Sequence, residues 1–164
     1  MTNDLITLLA NVALTLSFIV AVIFGITQVR AAARDRRERL TLESLRNFET
    51  REFAELMQYI NSHKMPASRK ELLALPVSEQ VIFVQFAQQM ETLGILVAEK
   101  LISMDLVDKT LGSFVSTSWE KYRTFVHSLR ETDPFLAEYF QWLAERISER
   151  LQKQPRRPYY QKTS

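Results

Sequence analysis

Few side chains in this sequence are equipped for chemistry. His63 and His127 are its two histidines, cysteine is absent, and neither histidine has a second ligand at metal-binding spacing. Both read as ordinary surface residues. The lack of cysteine also removes thiolate nucleophiles, disulfides and thioether haem attachment, and fits a reducing compartment. No HExxH, glycine-rich phosphate loop or nucleophile elbow occurs. The expectation is a protein that is not an enzyme, with no catalytic, cofactor-binding or metal residue and no cofactor. Scattered carboxylates are the remaining material for catalysis.

More informative are charged residues that fall inside apolar faces: Glu49, Glu52, Glu91, Arg130, Arg146 and Arg150. A carboxylate withdrawn from water needs a cation or several donors. These positions therefore predict Glu–Arg pairs that tie helices together, with a polar pocket inside a bundle as the functional alternative. Arg146 stands one turn after Trp142, where stacking is available, and long arginine side chains can also keep their heads in water.

The elements that must carry these residues are helices. With 3 Gly and 5 Pro in 164 residues there is little material for hairpins, and good helix formers fill the intervals. The fold class is all-α: a single N-terminal transmembrane helix, then a small cytoplasmic bundle of about four main helices. From residue 5 to residue 29 no side chain is charged. At about 1.5 Å per residue that run exceeds the roughly 30 Å of a hydrocarbon core. A cleaved signal is the competing reading, since Ala31-Ala32-Ala33 imitates a cleavage site, but the run is too long and lacks a basic segment before it. Arg30, Arg34, Arg36, Arg37 and Arg39 follow it and no basic residue precedes it. The positive-inside rule then puts the N-terminus outside and the remaining chain in the cytoplasm.

Within the run, Ala13, Ser17, Ala21 and Gly25 recur at every fourth position. Such a stripe lets two helix backbones approach closely in lipid, which predicts self-association or pairing with another membrane helix; chance recurrence is the bland alternative. The five arginines act as topology determinants and as contacts for anionic lipid, each contributing about 1 kcal/mol. A second basic cluster, Lys153, Arg156, Arg157 and Lys162, closes the chain. Residues 40–152 hold 12 basic and 16 acidic side chains. That mildly acidic middle argues against nucleic acid as a partner.

Beyond the neck, residues 40–60 lack Gly and Pro, and Leu42, Leu45, Phe48, Phe53, Leu56, Met57 and Ile60 share a face. They predict one amphipathic helix, possible as a direct continuation of the membrane helix. Residues 61–76 form an irregular connector with a short helical piece at Leu72, Leu73 and Leu75, and Ser62 and Ser68 as turn or cap formers. A long helix follows from Pro76 to about Ser103, bearing Phe83, Phe86, Met90, Gly94 and Val97. A segment through Gly112 then precedes a third main helix with Trp119, Tyr122 and Phe125. Thr132-Asp133-Pro134 predicts an N-cap with proline in the first turn of a last helix, which fades near Gln154. The layout is 1–4 extracytoplasmic, 5–29 transmembrane, 30–39 basic neck, 40–153 cytoplasmic helical domain and 154–164 flexible basic tail.

The order of anchor, arginine-rich neck, a helix with Glu91 and Gly94, then Leu111-Gly112, Trp119, Arg130 and a closing aromatic helix resembles an uncharacterised bacterial family of short membrane-anchored helical proteins, classed as a domain of unknown function. The resemblance implies an inner-membrane setting and a helical fold, and brings no activity with it. It also implies that Glu91, Trp119 and Arg130 are framework positions, a buried polar framework or pocket. Two function classes stay open. One is a non-enzymatic interaction or assembly module that oligomerises or recruits an unknown cytoplasmic protein; the other is a ligand-responsive sensor or effector in a stress or phage-response system. An exposed apolar patch would favour the first, and a closed polar pocket around Glu91 and Arg130 the second.

Overall fold

The computed structural model describes residues 2–155 and 159–161. They are helical with no strand among them: α1 (Thr2–Arg46), α2 (Arg51–Ser62), α3 (Arg69–Leu73), α4 (Val77–Ala98), α5 (Met104–Leu129) and α6 (Glu138–Lys153), then a 3-10 turn at Tyr159–Gln161. The chain divides into two compact units, Met1–Arg39 and Leu40–Ser164. Arg156, Arg157 and Lys162 of the basic tail lie outside the described residues.

In the first unit, every side chain from residue 5 to residue 29 is exposed. The hydroxyls of Thr7, Thr15 and Thr27 donate to the carbonyls of Asn3, Asn11 and Phe24 at 2.9, 2.8 and 2.8 Å. These hydroxyls are satisfied inside the helix. By length and composition α1 can cross a membrane, the property shared by a membrane span and a signal sequence. α4 passes the same test, but it is a core helix: Phe83, Phe86, Met90, Leu93 and Val97 on it are buried.

In the second unit α6 packs against both α4 and α5, while α2 and α3 make smaller contacts with α4 and α5. Phe86 is its centre. The ring is fully buried and meets Phe114, Tyr122 and Phe140 at centroid distances of 5.6, 5.2 and 6.0 Å. Edge-on and tilted packing of this kind adds about 0.5–1.5 kcal/mol per pair beyond area burial. The aromatic periodicity of α4, α5 and α6 thus converges on one core.

Four boundaries depart from expectation. Residues 40–60 are two helices rather than one, because the chain turns at residues 47–50. Thr50, in extended conformation, caps α2 by accepting the Phe53 N–H at 3.2 Å. α4 ends at Ala98, five residues before Ser103, through a left-handed Lys100 with φ 58°; the Leu101 N–H then reaches back to the Leu96 carbonyl at 3.0 Å. Gly112 does not separate two segments but lies inside the single helix α5. A Cβ there would stand 2.6 Å from Asp108 Oδ1 and 3.3 Å from the Ile147 side chain, so glycine leaves room for α6. Finally, α6 begins at Glu138, after a left-handed Ala137 with φ 54°, rather than at Thr132 or Asp133. Asp133 instead accepts the Phe135 N–H at 3.2 Å in a tight turn.

Candidate functional site

Because Ala137 enters α6 in the left-handed region and supplies no side-chain cap, the first N–H groups of that helix need an acceptor from elsewhere. α4 provides it. Glu91 Oε1 accepts the Tyr139 N–H at 3.2 Å and Oε2 accepts the Phe140 N–H at 2.8 Å. A carboxylate is well matched to this place, where the helix dipole and the orphan donors both favour negative charge. One turn further along α4, Gly94 makes the approach possible: a Cβ there would come within 2.3 Å of the Tyr139 carbonyl oxygen.

Arg130 grips the other side of the same junction. Its Nε donates to the Leu136 carbonyl at 3.0 Å, one terminal nitrogen to the Ala137 carbonyl at 3.3 Å, and the other to Gln141 Oε1. Trp119 completes the set by packing edge-on against Phe140 at 5.2 Å while 5% exposed. The structure therefore brings Glu91, Trp119 and Arg130 together around the start of α6, each holding a different part of it. Glu91 and Arg130 do not form an ion pair with each other among the described residues.

Ion pairs do link helices, though not the ones expected. Glu49 and Glu52 are exposed, with Glu52 accepting Gln85 Nε2 at 2.9 Å. Arg146 is exposed and pairs with Glu149 on its own helix at 2.9 Å. Among the described residues, Arg150 is the one of the six that bridges helices through an ion pair, reaching Asp105 at 3.1 Å and the buried Asp108 at 3.6 Å on α5. Three polar contacts join residues distant in sequence and leave no mark in the sequence pattern. Thr41, fully buried, accepts the Ser103 N–H at 2.8 Å; Lys121 donates to the carbonyls of Ile60 and Asn61 at the end of α2, both at 2.7 Å; and Tyr59 donates to Glu79 at 2.5 Å. Burial, with the Glu79 contact, pushes the Tyr59 phenol up to about 12. Burial also raises Tyr122, whose hydroxyl donates to the Phe83 carbonyl at 3.0 Å.

His63 and His127 are exposed. His63 stacks on Tyr59 at 3.8 Å, and its Nδ1 lies 3.0 Å from the Tyr59 carbonyl. Among the described residues no group of three or more His, Asp or Glu is placed to hold a metal ion. Alongside Glu91 runs a groove of about 560 Å³, walled largely by Leu72, Leu73, Val84, Ala87, Phe125 and Leu129, with Arg69 and Asp133 also lining it. This is an open apolar groove rather than a closed polar pocket. Its size lies within the range of roughly 300–1,000 Å³ typical of small-molecule sites. In the first unit, the arginines of the neck are exposed on α1, with Arg34 paired to Glu38 at 2.9 Å. Ala13, Ser17, Ala21 and Gly25 are likewise exposed, and a Cβ at Gly25 would meet nothing within 4 Å.

Fold and site together define an all-helical protein with a long apolar N-terminal helix and a bundle whose last helix is seated by Glu91, Trp119 and Arg130. The family described as a domain of unknown function (DUF4760) matches residues 15–147, and the chain belongs to it. No curated protein and no solved structure matches the chain.

Proposed function

We propose that this protein is a single-pass, membrane-anchored, non-enzymatic interaction or assembly module, with residues 5–29 crossing a bacterial inner membrane and the Leu40–Ser164 unit in the cytoplasm. One observation carries the reading: from residue 5 to residue 29 the side chains are uncharged and all exposed along α1. Leaving so much apolar surface in water opposes the hydrophobic effect at about 25 cal/mol per Å², whereas a bilayer accepts it. Arg30, Arg34, Arg36, Arg37 and Arg39 then face anionic lipid on the cytoplasmic side.

Association through α1 is part of this proposal. Ala13, Ser17, Ala21 and Gly25 provide the close-approach stripe for a second copy or another membrane helix. Crosslinking in native membranes tests it. Ala21→Leu with Gly25→Leu should strongly reduce the oligomer band, and the open space at Gly25 means the chain's own packing tolerates that side chain. An undiminished band in the double variant would remove association by this stripe. The ligand-responsive reading has a specific observation in its favour too, the groove beside Glu91.

A further inference from the structure

We propose that the groove between α3, α4, α5 and the 130–137 connection binds a long-chain fatty acid, with the acyl chain against Leu73, Val84, Ala87 and Leu129 and the carboxylate against Arg69. The inference goes beyond the anchor reading and does not depend on it. The first argument is the chemistry of the lining. Apart from Gln88 and Arg69, the polar side chains that line the groove are engaged within the chain. Gln80 donates to the Leu75 carbonyl at 2.8 Å, Tyr122 to Phe83 at 3.0 Å and Thr132 to Leu129 at 2.9 Å. Glu91 accepts the two N–H groups of α6, and Asp133 accepts the Phe135 N–H. That leaves the Gln88 amide and Arg69 for a ligand, too few partners to replace the hydrogen bonds that a sugar or a nucleotide would give up to water.

Charge supplies the second argument. Of the three charged lining residues, Arg69, Glu91 and Asp133, the two acids hold backbone amides. Arg69 is exposed and makes no hydrogen bond or ion pair among the described residues. It is the cation among the three and is free to turn toward a ligand, and a guanidinium pairs with a carboxylate in bidentate geometry. The third argument is exposure. Leu73 and Val84 are 60% and 46% exposed, so an acyl chain laid on them removes apolar surface from water that the fold itself leaves uncovered. A volume of about 560 Å³ accommodates one chain rather than a two-chain phospholipid.

Photocrosslinking of the full chain, reconstituted in zwitterionic lipid nanodiscs, tests this. The probe is palmitate bearing a diazirine on its chain, and adducts are mapped by mass spectrometry. Adducts are expected on peptides covering residues 77–91 and 125–137. Val84→Trp, which fills the groove from an exposed position, and Arg69→Glu should each reduce them roughly tenfold, the factor that 1.4 kcal/mol represents, while Arg69→Lys, which keeps the charge but not the fork, should label at a level between Arg69→Glu and the unaltered chain. Equal labelling by a diazirine alkyl-trimethylammonium probe of the same chain length would overturn the proposal. So would undiminished labelling of the folded Arg69→Glu protein. Adducts confined to residues 5–29 would also overturn it and leave the anchor reading standing.

Discussion

Glu91 places a negative charge at the first turn of a helix to which it does not belong. Caps of this kind contribute about 0.5–2 kcal/mol. Glu91→Ala should therefore lower the stability of the Leu40–Ser164 unit by about 1–2 kcal/mol, and Glu91→Gln, which keeps one acceptor, by less. Hydrogen exchange at the Tyr139 and Phe140 amides is the direct readout, because those two groups lose their acceptor. Gly94 makes the complementary case. A methyl there gains about 1 kcal/mol of helix propensity but must displace the Tyr139 backbone carbonyl, which lies 2.3 Å from the new Cβ position. Overpacking against backbone costs about 1–3 kcal/mol, so Gly94→Ala should lower the thermal midpoint. Tyr59 gives a pH dependence. Its pKa is raised from 10.0 to about 12 in the folded state, chiefly by burial and also by the Glu79 contact. A raised pKa means that the contribution to stability is complete below pH 10 and is lost as pH rises through about 12. An alkaline unfolding series should fall in that window, and Tyr59→Phe should flatten its onset.

At the scale of elements, periodicity told the faces well and the ends poorly. The buried positions Phe83, Phe86, Met90 and Val97 on α4, and Phe140, Leu143 and Ile147 on α6, follow a helical repeat that any packed bundle demands. Helix ends depend on single residues, and here those residues are atypical. The turn before Thr50 contains neither Gly nor Pro, so the only mark of a break in residues 40–60 is Thr50 itself, a residue type that caps helices but also occurs within them. Lys100 and Ala137 hold left-handed conformations usually given to Gly, and they displaced the ends expected at Ser103 and Thr132. The left-handed region costs non-glycine residues roughly 1–2 kcal/mol. Lys100→Gly should recover about 0.5–1 kcal/mol of it after the added chain entropy of glycine, measured as a higher denaturation midpoint. The candidate framework was half legible. Glu91 and Arg130 were visible as charges within apolar faces. Their partners were not, because apart from the Gln141 side chain they are backbone groups of residues 136–140 whose availability depends on where α6 begins. Asp108 was missed because the residue that answers it, Arg150, is distant in sequence and joins it through the α5–α6 packing.

For the molecule as a whole, the central claim is that residues 5–29 cross the membrane and leave the Leu40–Ser164 unit in the cytoplasm. The sequence has 0 Cys, so a single introduced thiol reports its own location without a background to subtract. Asn3→Cys and Glu131→Cys occupy exposed positions in the two units. Exposure of intact cells to a membrane-impermeant maleimide, followed by alkaline extraction of the membranes, tests anchoring and sidedness together. The account predicts that both variants stay in the membrane pellet, that Asn3→Cys is labelled in intact cells and that Glu131→Cys is labelled only after lysis. Release of the chain by alkaline extraction, or labelling of Glu131→Cys in intact cells, would contradict it.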